Sequence, residues 1–262
     1  MSNTIRATNL EKCIMNRVPT RLLFFAVVAV LLTPVLAFGA PASAMGAQAS
    51  ANVTLGSRGD AAHTGVMPGD GPTTQPGVLW DVPAGGDVSN GMAIRGELLF
   101  YTSRTPSVVG AIDRLTGTQV WTVDLGAEAW AYAPEPAGEL VVVAVRVSEG
   151  DHAIVAFEAA TGDEAWRVSV GQPSNAVTHA DGIIYVPTER ASTPAGTNSI
   201  LYALDAATGN QRWEFSDPDA LKFNQASVSD GIVVVTVNSL VDGGAGAYAF
   251  DSVSGDLIWE FT

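Results

Sequence analysis

The sequence predicts an all-β protein made of repeated four-stranded antiparallel sheets. Three observations support this fold class: an eleven-residue motif occurs four times, each repeat carries four short strand-like segments, and helical periodicity is weak. The motif is AIDRLTGTQVW at 111–121, AFEAATGDEAW at 156–166, ALDAATGNQRW at 203–213 and AFDSVSGDLIW at 249–259. Its closing tryptophans are 45, 47 and 46 residues apart, a period typical of β-propeller blades.

The third repeat shows the four strands most clearly. They are predicted at NAVTHA 175–180, IIYVPTE 183–189, SILYALDA 199–206 and QRWEFS 211–216. The pairs Asp-Gly and Thr-Gly mark turns between them. The matching second strands of the other repeats are GELLFYTS at 96–103, GELVVVAV at 138–145 and GIVVVTV at 231–237.

The motif itself predicts a turn followed by a packing residue. Its glycine permits a tight turn with positive φ, and its aspartate can accept hydrogen bonds from backbone N–H groups of that turn. Its tryptophan can pack on the adjacent blade. We therefore assign blade docking to Trp121, Trp166, Trp213, Trp259, Gly117, Gly162, Gly209, Gly255, Asp113, Asp205 and Asp251.

The two ends of the repeat region predict an incomplete ring. Trp80, in VLWDVPAGG, is predicted to lie in a strand that corresponds to the fourth strand of a repeat, and no first, second or third strand comes before it. At the other end, LIWEFT at 257–262 is already the fourth strand of its own repeat. We expect four full repeats plus one orphan strand, as in a fragment of a seven- or eight-bladed propeller. A self-completing association of two copies is the alternative.

The segment before the repeats has two predicted parts. Residues 1–44 are interpreted as a signal peptide, because basic residues precede the apolar run at 21–40 and PASA follows it. An uncleaved membrane anchor at 22–40 is the alternative. Residues 45–78 are interpreted as a low-complexity linker, in which RGD at 58–60 is a coincidence.

Composition restricts the classes of partner. The formal net charge is −14, and the leader would remove more basic than acidic residues. This charge argues against nucleic acid and anionic lipid as partners. The single cysteine, Cys13, precedes the apolar run, so no disulfide is expected in an exported, extracytoplasmic protein.

The motif A-x-D-x-x-T-G-x-x-x-W resembles the repeat of pyrroloquinoline-quinone-like (PQQ-like) β-propellers, over residues 79–262. RGDAAHTG at 58–65 also resembles the lead-in to the first blade in some exported relatives. That superfamily includes quinoprotein alcohol dehydrogenases and a propeller lipoprotein of the outer-membrane β-barrel assembly machinery. For a dehydrogenase the resemblance implies a bound quinone, a Ca²⁺ ion, an aspartate base and often a vicinal disulfide.

Catalytic signatures are weak in this sequence. It has no cysteine pair, nucleotide fingerprint or nucleophile elbow, and His63, His152 and His179 lack metal-ligand spacing. His152 and His179 are expected to be surface or strand-edge residues. We therefore predict a non-catalytic binding or scaffold module for a protein or polar ligand, with no cofactor. The alternative is a fragment of a PQQ- and Ca²⁺-dependent dehydrogenase.

Propellers bind ligands through the loops at one end. In this chain those loops carry four of the few basic side chains, which could recognise an acidic or polar ligand; solvated loop residues are the alternative. The candidate ligand residues are Arg104, Trp130, Arg146, Glu189, Arg190 and Lys222.

Overall fold

The computed structural model describes residues 4–9, 54–55, 59–65, 75, 77–88, 90–147, 150–190, 198–239 and 244–261. All regular structure within these ranges is β-strand, which confirms the predicted fold class. No helix in the described ranges is long and apolar enough to cross a membrane. The apolar run at 21–40 and most of the linker lie outside the described residues.

Three strands precede or border the first blade. They are β1 (Thr4–Asn9), β2 (Thr54–Leu55) and β3 (Gly77–Pro83). Strand β3 is the predicted orphan strand that contains Trp80, and it pairs antiparallel with β1. Blade 1 then consists of β2, β4 (Met92–Arg95), β5 (Leu98–Ser103), β6 (Val108–Asp113) and β7 (Gln119–Asp124), paired in that order.

Blades 2, 3 and 4 follow with the same antiparallel order. Blade 2 contains β8 (Ala129–Ala131), β9 (Glu135–Ala137), β10 (Leu140–Val147), β11 (Ala153–Glu158) and β12 (Glu164–Ser169). Blade 3 contains β13 (Thr178–Ala180), β14 (Ile183–Pro187), β15 (Ser199–Asp205) and β16 (Gln211–Asp217). Blade 4 contains β17 (Ala220–Phe223), β18 (Ser227–Ser229), β19 (Ile232–Ser239), β20 (Ala245–Asp251) and β21 (Leu257–Phe261).

The first strand of a blade is shorter or more broken than predicted. In blade 2 it is divided into β8 and β9, which both pair with β10. Residues 132–134 lie opposite only Val143 and Ala144 of β10, so one extra residue interrupts the ladder between β8 and β9. In blade 3 the predicted strand at 175–180 is reduced to β13.

The hydrophobic core lies between neighbouring blades. In β10, Val141 and Val143 pack in the cluster shared with blade 1, whereas Val142 and Ala144 pack in the cluster shared with blade 3. Side chains on a strand alternate between its two faces, and here both faces are covered. This explains why the second strands are continuous apolar runs rather than alternating ones.

Part of the predicted linker packs on the repeats. The backbone N–H of Val228 in β18 donates to the Ala61 carbonyl at 2.8 Å, and Ala61 packs against the core between blades 3 and 4. Asp60 closes this turn by accepting from the Thr64 N–H at 2.9 Å. Residues 59–65 therefore behave as a docked segment, whereas composition alone predicts a loose lead-in.

Candidate functional site

The repeated motif forms the joint between consecutive blades. Each motif tryptophan from blades 1 to 3 lies over the glycine of the next turn and donates its indole N–H to a backbone carbonyl there. Trp121 donates to Ala159 at 2.9 Å, Trp166 to Ala206 at 3.1 Å and Trp213 to Ser252 at 3.2 Å. Trp80 of β3 makes the same contact with Arg114 in the first turn, at 2.8 Å.

The turn glycines are required by both conformation and space. Gly117, Gly162, Gly209 and Gly255 have φ between 73° and 79°. A Cβ atom added to Gly162 would lie 2.7 Å from the Trp121 ring, and the other three turns are equally close to their tryptophans. A larger residue would therefore strain the backbone and push the indole off the turn.

The turn aspartates hold the loop that receives the indole. Asp113 Oδ1 accepts from the N–H groups of Leu115 and Thr116 at 2.9 and 2.8 Å, and Asp205 and Asp251 repeat the pattern. The Thr116 N–H holds the pKa of Asp113 below its usual value, and the Ser254 N–H does the same for Asp251. For Asp205 the main cause of the lowered pKa is the Arg212 guanidinium, 2.7 Å away.

Acid should therefore weaken the joints. Because the folded-state pKa values of these aspartates lie below the ordinary 3.8, their stabilisation is complete above that value and is lost as pH falls through the lowered values. We expect the urea midpoint to fall as the pH is lowered below about 4. The variant D113N/D251N keeps both acceptor oxygens but cannot be protonated in this range, so its midpoint should change less. Equal pH dependence in both proteins would contradict the assignment.

A cavity of about 360 Å³ opens where loops of blades 1, 2 and 3 meet. It contains three of the six residues predicted for ligand binding: Arg104 follows β5, Trp130 lies in β8 and Arg146 lies in β10. The full lining is Arg104, Thr105, Ala127, Glu128, Ala129, Trp130, Arg146, Val147, His152 and Gln172.

Trp130 supplies the aromatic ring of this cavity lining. The guanidinium carbon of Arg104 lies 4.2 Å from its ring centroid and that of Arg146 lies 5.5 Å away, so both cations interact with one indole. Tyr132 stacks on the same ring at 5.5 Å. The indole nitrogen of Trp130 is buried without a hydrogen-bond partner among the described residues. In this respect Trp130 differs from Trp80, Trp121, Trp166 and Trp213, whose indole N–H groups all donate to backbone carbonyls.

Arg146 is held in place by blade 3. Its Nη1 lies 3.0 Å from Glu189 Oε1 and 3.4 Å from the Tyr132 hydroxyl. The amide of Gln172 also donates to Glu189. Glu189, which was predicted to contact a ligand, is not in the cavity lining. It acts on the cavity indirectly, because its carboxylate pairs with Arg146 and orients that side chain.

His152, expected to be a surface or strand-edge residue, directly precedes β11 but is not on the surface. It is 8% exposed, and its Nδ1 accepts from the Val147 N–H at 3.1 Å, closing the loop between β10 and β11. Burial and then the nearby Arg146 charge lower the pKa of His152. His152 is therefore neutral at neutral pH, with its proton on Nε2. The sequence offered no signal for this, because the contact depends on how the loop folds back.

The remaining two predicted ligand residues lie outside the cavity lining. The Arg190 N–H donates to the Leu221 carbonyl at 2.8 Å, and its Nη1 lies 3.5 Å from the Pro218 carbonyl. Lys222 forms a backbone bridge with Glu189. These contacts join blade 3 to the first strand of blade 4.

The cavity offers hydrogen-bond donors rather than metal ligands. Within the described ranges, no three His, Cys, Asp or Glu side chains converge as a metal site would require. Calcium takes about six to eight oxygen ligands, and the lining supplies a single carboxylate, that of Glu128. The described residues of this cavity therefore do not fit a Ca²⁺ ion.

These blades and their docking joints define a PQQ-type β-propeller repeat protein. The family model described as "Outer membrane protein assembly factor BamB" matches residues 74–146 and 105–262, so the chain belongs to this family of PQQ-type repeats. This confirms the resemblance seen in the repeated motif.

Individual relatives include dehydrogenases that are much longer than this chain. A polyvinylalcohol dehydrogenase of Sphingopyxis sp. (strain 113P3) is 34% identical over 159 residues, and one of Pseudomonas sp. is 27% identical over 154 residues. Each match covers 52% of this chain and 24% of the relative, so the matched region spans about a quarter of their length. Among solved structures, a europium-containing methanol dehydrogenase superposes with a TM-score of 0.57 at 14% identity, covering 71% of this chain and 45% of the other. At that identity the likeness concerns the fold alone.

Proposed function

We propose that this PQQ-type repeat protein is a non-catalytic binding module outside the cytoplasm, and that its cavity takes a polar, acceptor-bearing ligand such as a carboxylate. The observation that carries the proposal is the pair of guanidinium groups, those of Arg104 and Arg146, over the Trp130 ring in the cavity lining. These guanidinium groups are charged donors, and a hydrogen bond from a charged group to a ligand acceptor contributes about 1.5–3 kcal/mol.

The arginines have different roles in this proposal. Arg146 is already paired with Glu189, so it contributes chiefly a fixed edge of the cavity. Arg104 is exposed and is positioned over Trp130, where its guanidinium can form a bidentate contact with a carboxylate. The predicted leader and the family description, an outer-membrane assembly factor, support an extracytoplasmic location and a protein partner.

Fluorescence titration tests this function. We expect succinate or a short Asp/Glu peptide to change the tryptophan emission of the full chain, and W130F to lose that change. R104A should weaken binding about tenfold or more, since a hydrogen bond to a charged group contributes about 1.5–3 kcal/mol. R190A, with its guanidinium outside the cavity lining, is the matched control. Equal affinities for R104A and R190A would refute the assignment.

The dehydrogenase alternative is supported by the similarity to the two polyvinylalcohol dehydrogenases. It is tested in the same assay with PQQ, with and without added Ca²⁺. Binding that requires Ca²⁺, together with reduction of the bound quinone by an alcohol, would overturn the non-catalytic proposal. Under our proposal, Ca²⁺ leaves both the emission and the quinone absorbance unchanged.

A further inference from the structure

A segment that precedes the repeats contacts two blades that are not neighbours. Strand β2 pairs with Ile94 and Arg95 of β4, the first strand of blade 1. Only a few residues later, the segment at 59–65 contacts β18, at the start of blade 4. Residues 54–65, of which the structure describes 54–55 and 59–65, are called the strap below. The strap therefore connects blade 1 to blade 4 without passing through the sheets of blades 2 and 3.

The contact between the strap and blade 4 combines three kinds of interaction. The Val228 N–H of β18 donates to the Ala61 carbonyl at 2.8 Å, and the Ser227 hydroxyl lies 3.3 Å from Nδ1 of His63. The Ala61 side chain packs against the core between blades 3 and 4, and Gly59 is buried. Backbone pairing, a side-chain contact and apolar packing thus all hold the strap on the same strand.

The strap is also closed on itself at this contact. The Asp60 carboxylate accepts from the Thr64 N–H at 2.9 Å and from the Thr64 hydroxyl, while the Asp60 carbonyl accepts from the His63 N–H at 3.0 Å. These bonds fix the turn that presents Ala61 and His63 to β18. Because the turn is ordered by its own contacts, docking on blade 4 costs less conformational entropy.

The length of the strap limits how far blades 1 and 4 can separate. The chain from Leu55 to Ala61 spans at most about 20 Å when it is fully extended. By contrast, the apolar cores each join consecutive blades, namely blades 1 and 2, blades 2 and 3, and blades 3 and 4. In repeat proteins with such nearest-neighbour contacts, opening at one end has little effect on the other end.

We propose that the strap is a brace that couples the opening of blade 4 to the opening of blade 1. Its two attachment points lie at the same end of the sheets: Arg95 pairs with Leu98 at the start of β5, and Val228 pairs with Val233 near the start of β19. The ligand cavity lies at the opposite end, where Arg104 follows the end of β5. The brace is therefore separate from the proposed ligand site and does not depend on it.

Hydrogen exchange of the full chain, followed strand by strand, tests the brace. In A61R a long charged side chain replaces the small one that packs on the core, so the strap should leave β18. We expect amide exchange to accelerate about tenfold or more in β18, and also in β2 and β4 of blade 1. A62R is the matched control, because it adds the same side chain at a residue that is not packed against this core. It should leave these exchange rates unchanged.

A milder pair of substitutions acts from the blade 4 side. S227A removes the hydroxyl beside His63 and should accelerate exchange in β2 and β4 about fivefold, the factor expected for one lost hydrogen bond. S229A removes a hydroxyl on the same strand that contacts Asp230 instead of the strap, and should have no such effect.

The location of the accelerated exchange decides the outcome. An increase that stays within blade 4 in A61R and S227A overturns the proposal, because the strap would then not transmit opening to blade 1. Equal increases in A61R and A62R also overturn it, since the added charge rather than the lost docking would be the cause. Circular dichroism verifies that all four variants are folded before their exchange rates are compared.

Discussion

Replacing Gly162 by alanine is expected to destabilise the protein by about 3 kcal/mol. The residue has φ of 79°, where an L side chain costs about 1–2 kcal/mol. The new Cβ would also lie 2.7 Å from the ring of Trp121, so the indole must leave the turn or the turn must open. Overpacking of this kind costs about 1–3 kcal/mol more. Urea unfolding followed by tryptophan fluorescence measures the sum.

Gly182→Ala is the matched control. Gly182 has φ of 75°, close to that of Gly162, but no atom lies within 4 Å of the position where its Cβ would be. The control therefore carries the same conformational cost of about 1–2 kcal/mol without the steric one. If both variants lose the same free energy of unfolding, backbone conformation alone explains why each repeat has a glycine at this position. The close contact between the glycine and the indole would then not contribute to stability.

The joint between blades could be predicted from the sequence because its motif occurs in every repeat. The spacing of Trp121, Trp166 and Trp213 fixed the unit, and a glycine four residues before each tryptophan identified the turn. What repetition could not show is the acceptor of each indole N–H. Those acceptors are backbone carbonyls, and a carbonyl carries no residue-type signal.

The cavity was only partly predictable. Arg104, Trp130 and Arg146 were candidates because they are a tryptophan outside the motif and two of the few basic side chains in the loops, and the structure brings them together around one ring. The roles of Glu189 and His152 depended on contacts between blades and on a loop that folds back. Such long-range contacts have no local pattern in the sequence.

The docked segment at 59–65 illustrates a further limit. Its composition is that of a linker, with few large apolar side chains. The pattern of hydrophobic residues therefore does not predict that this segment packs on the blades. It attaches instead through the backbone, by the hydrogen bond from Val228 to Ala61, and through the small Ala61 side chain. Backbone pairing of this kind is available to almost any sequence.

Trp213→Ala should be the most damaging single substitution among the blade joints, with a loss of about 3–5 kcal/mol. The side chain is 9% exposed and contacts both sheets that it joins, with Tyr185 at 5.9 Å and Phe250 at 5.8 Å between ring centroids. Truncation removes that packing and also leaves the Ser252 carbonyl without the indole donor, although the Tyr185 hydroxyl still donates to it at 3.0 Å.

Trp259→Ala provides the comparison within the same chain. Trp259 occupies the same position of the motif but is 44% exposed, so its truncation in dilute solution should cost less than about 1 kcal/mol. Urea unfolding of the two variants beside the unsubstituted chain gives both values. A similar loss for Trp213→Ala and Trp259→Ala would mean that the tryptophan acts within its own sheet. A large loss for Trp213→Ala alone is expected if its contacts with Phe250 and the Ser252 carbonyl of the next blade, together with the Tyr185 ring of its own blade, supply the stabilisation.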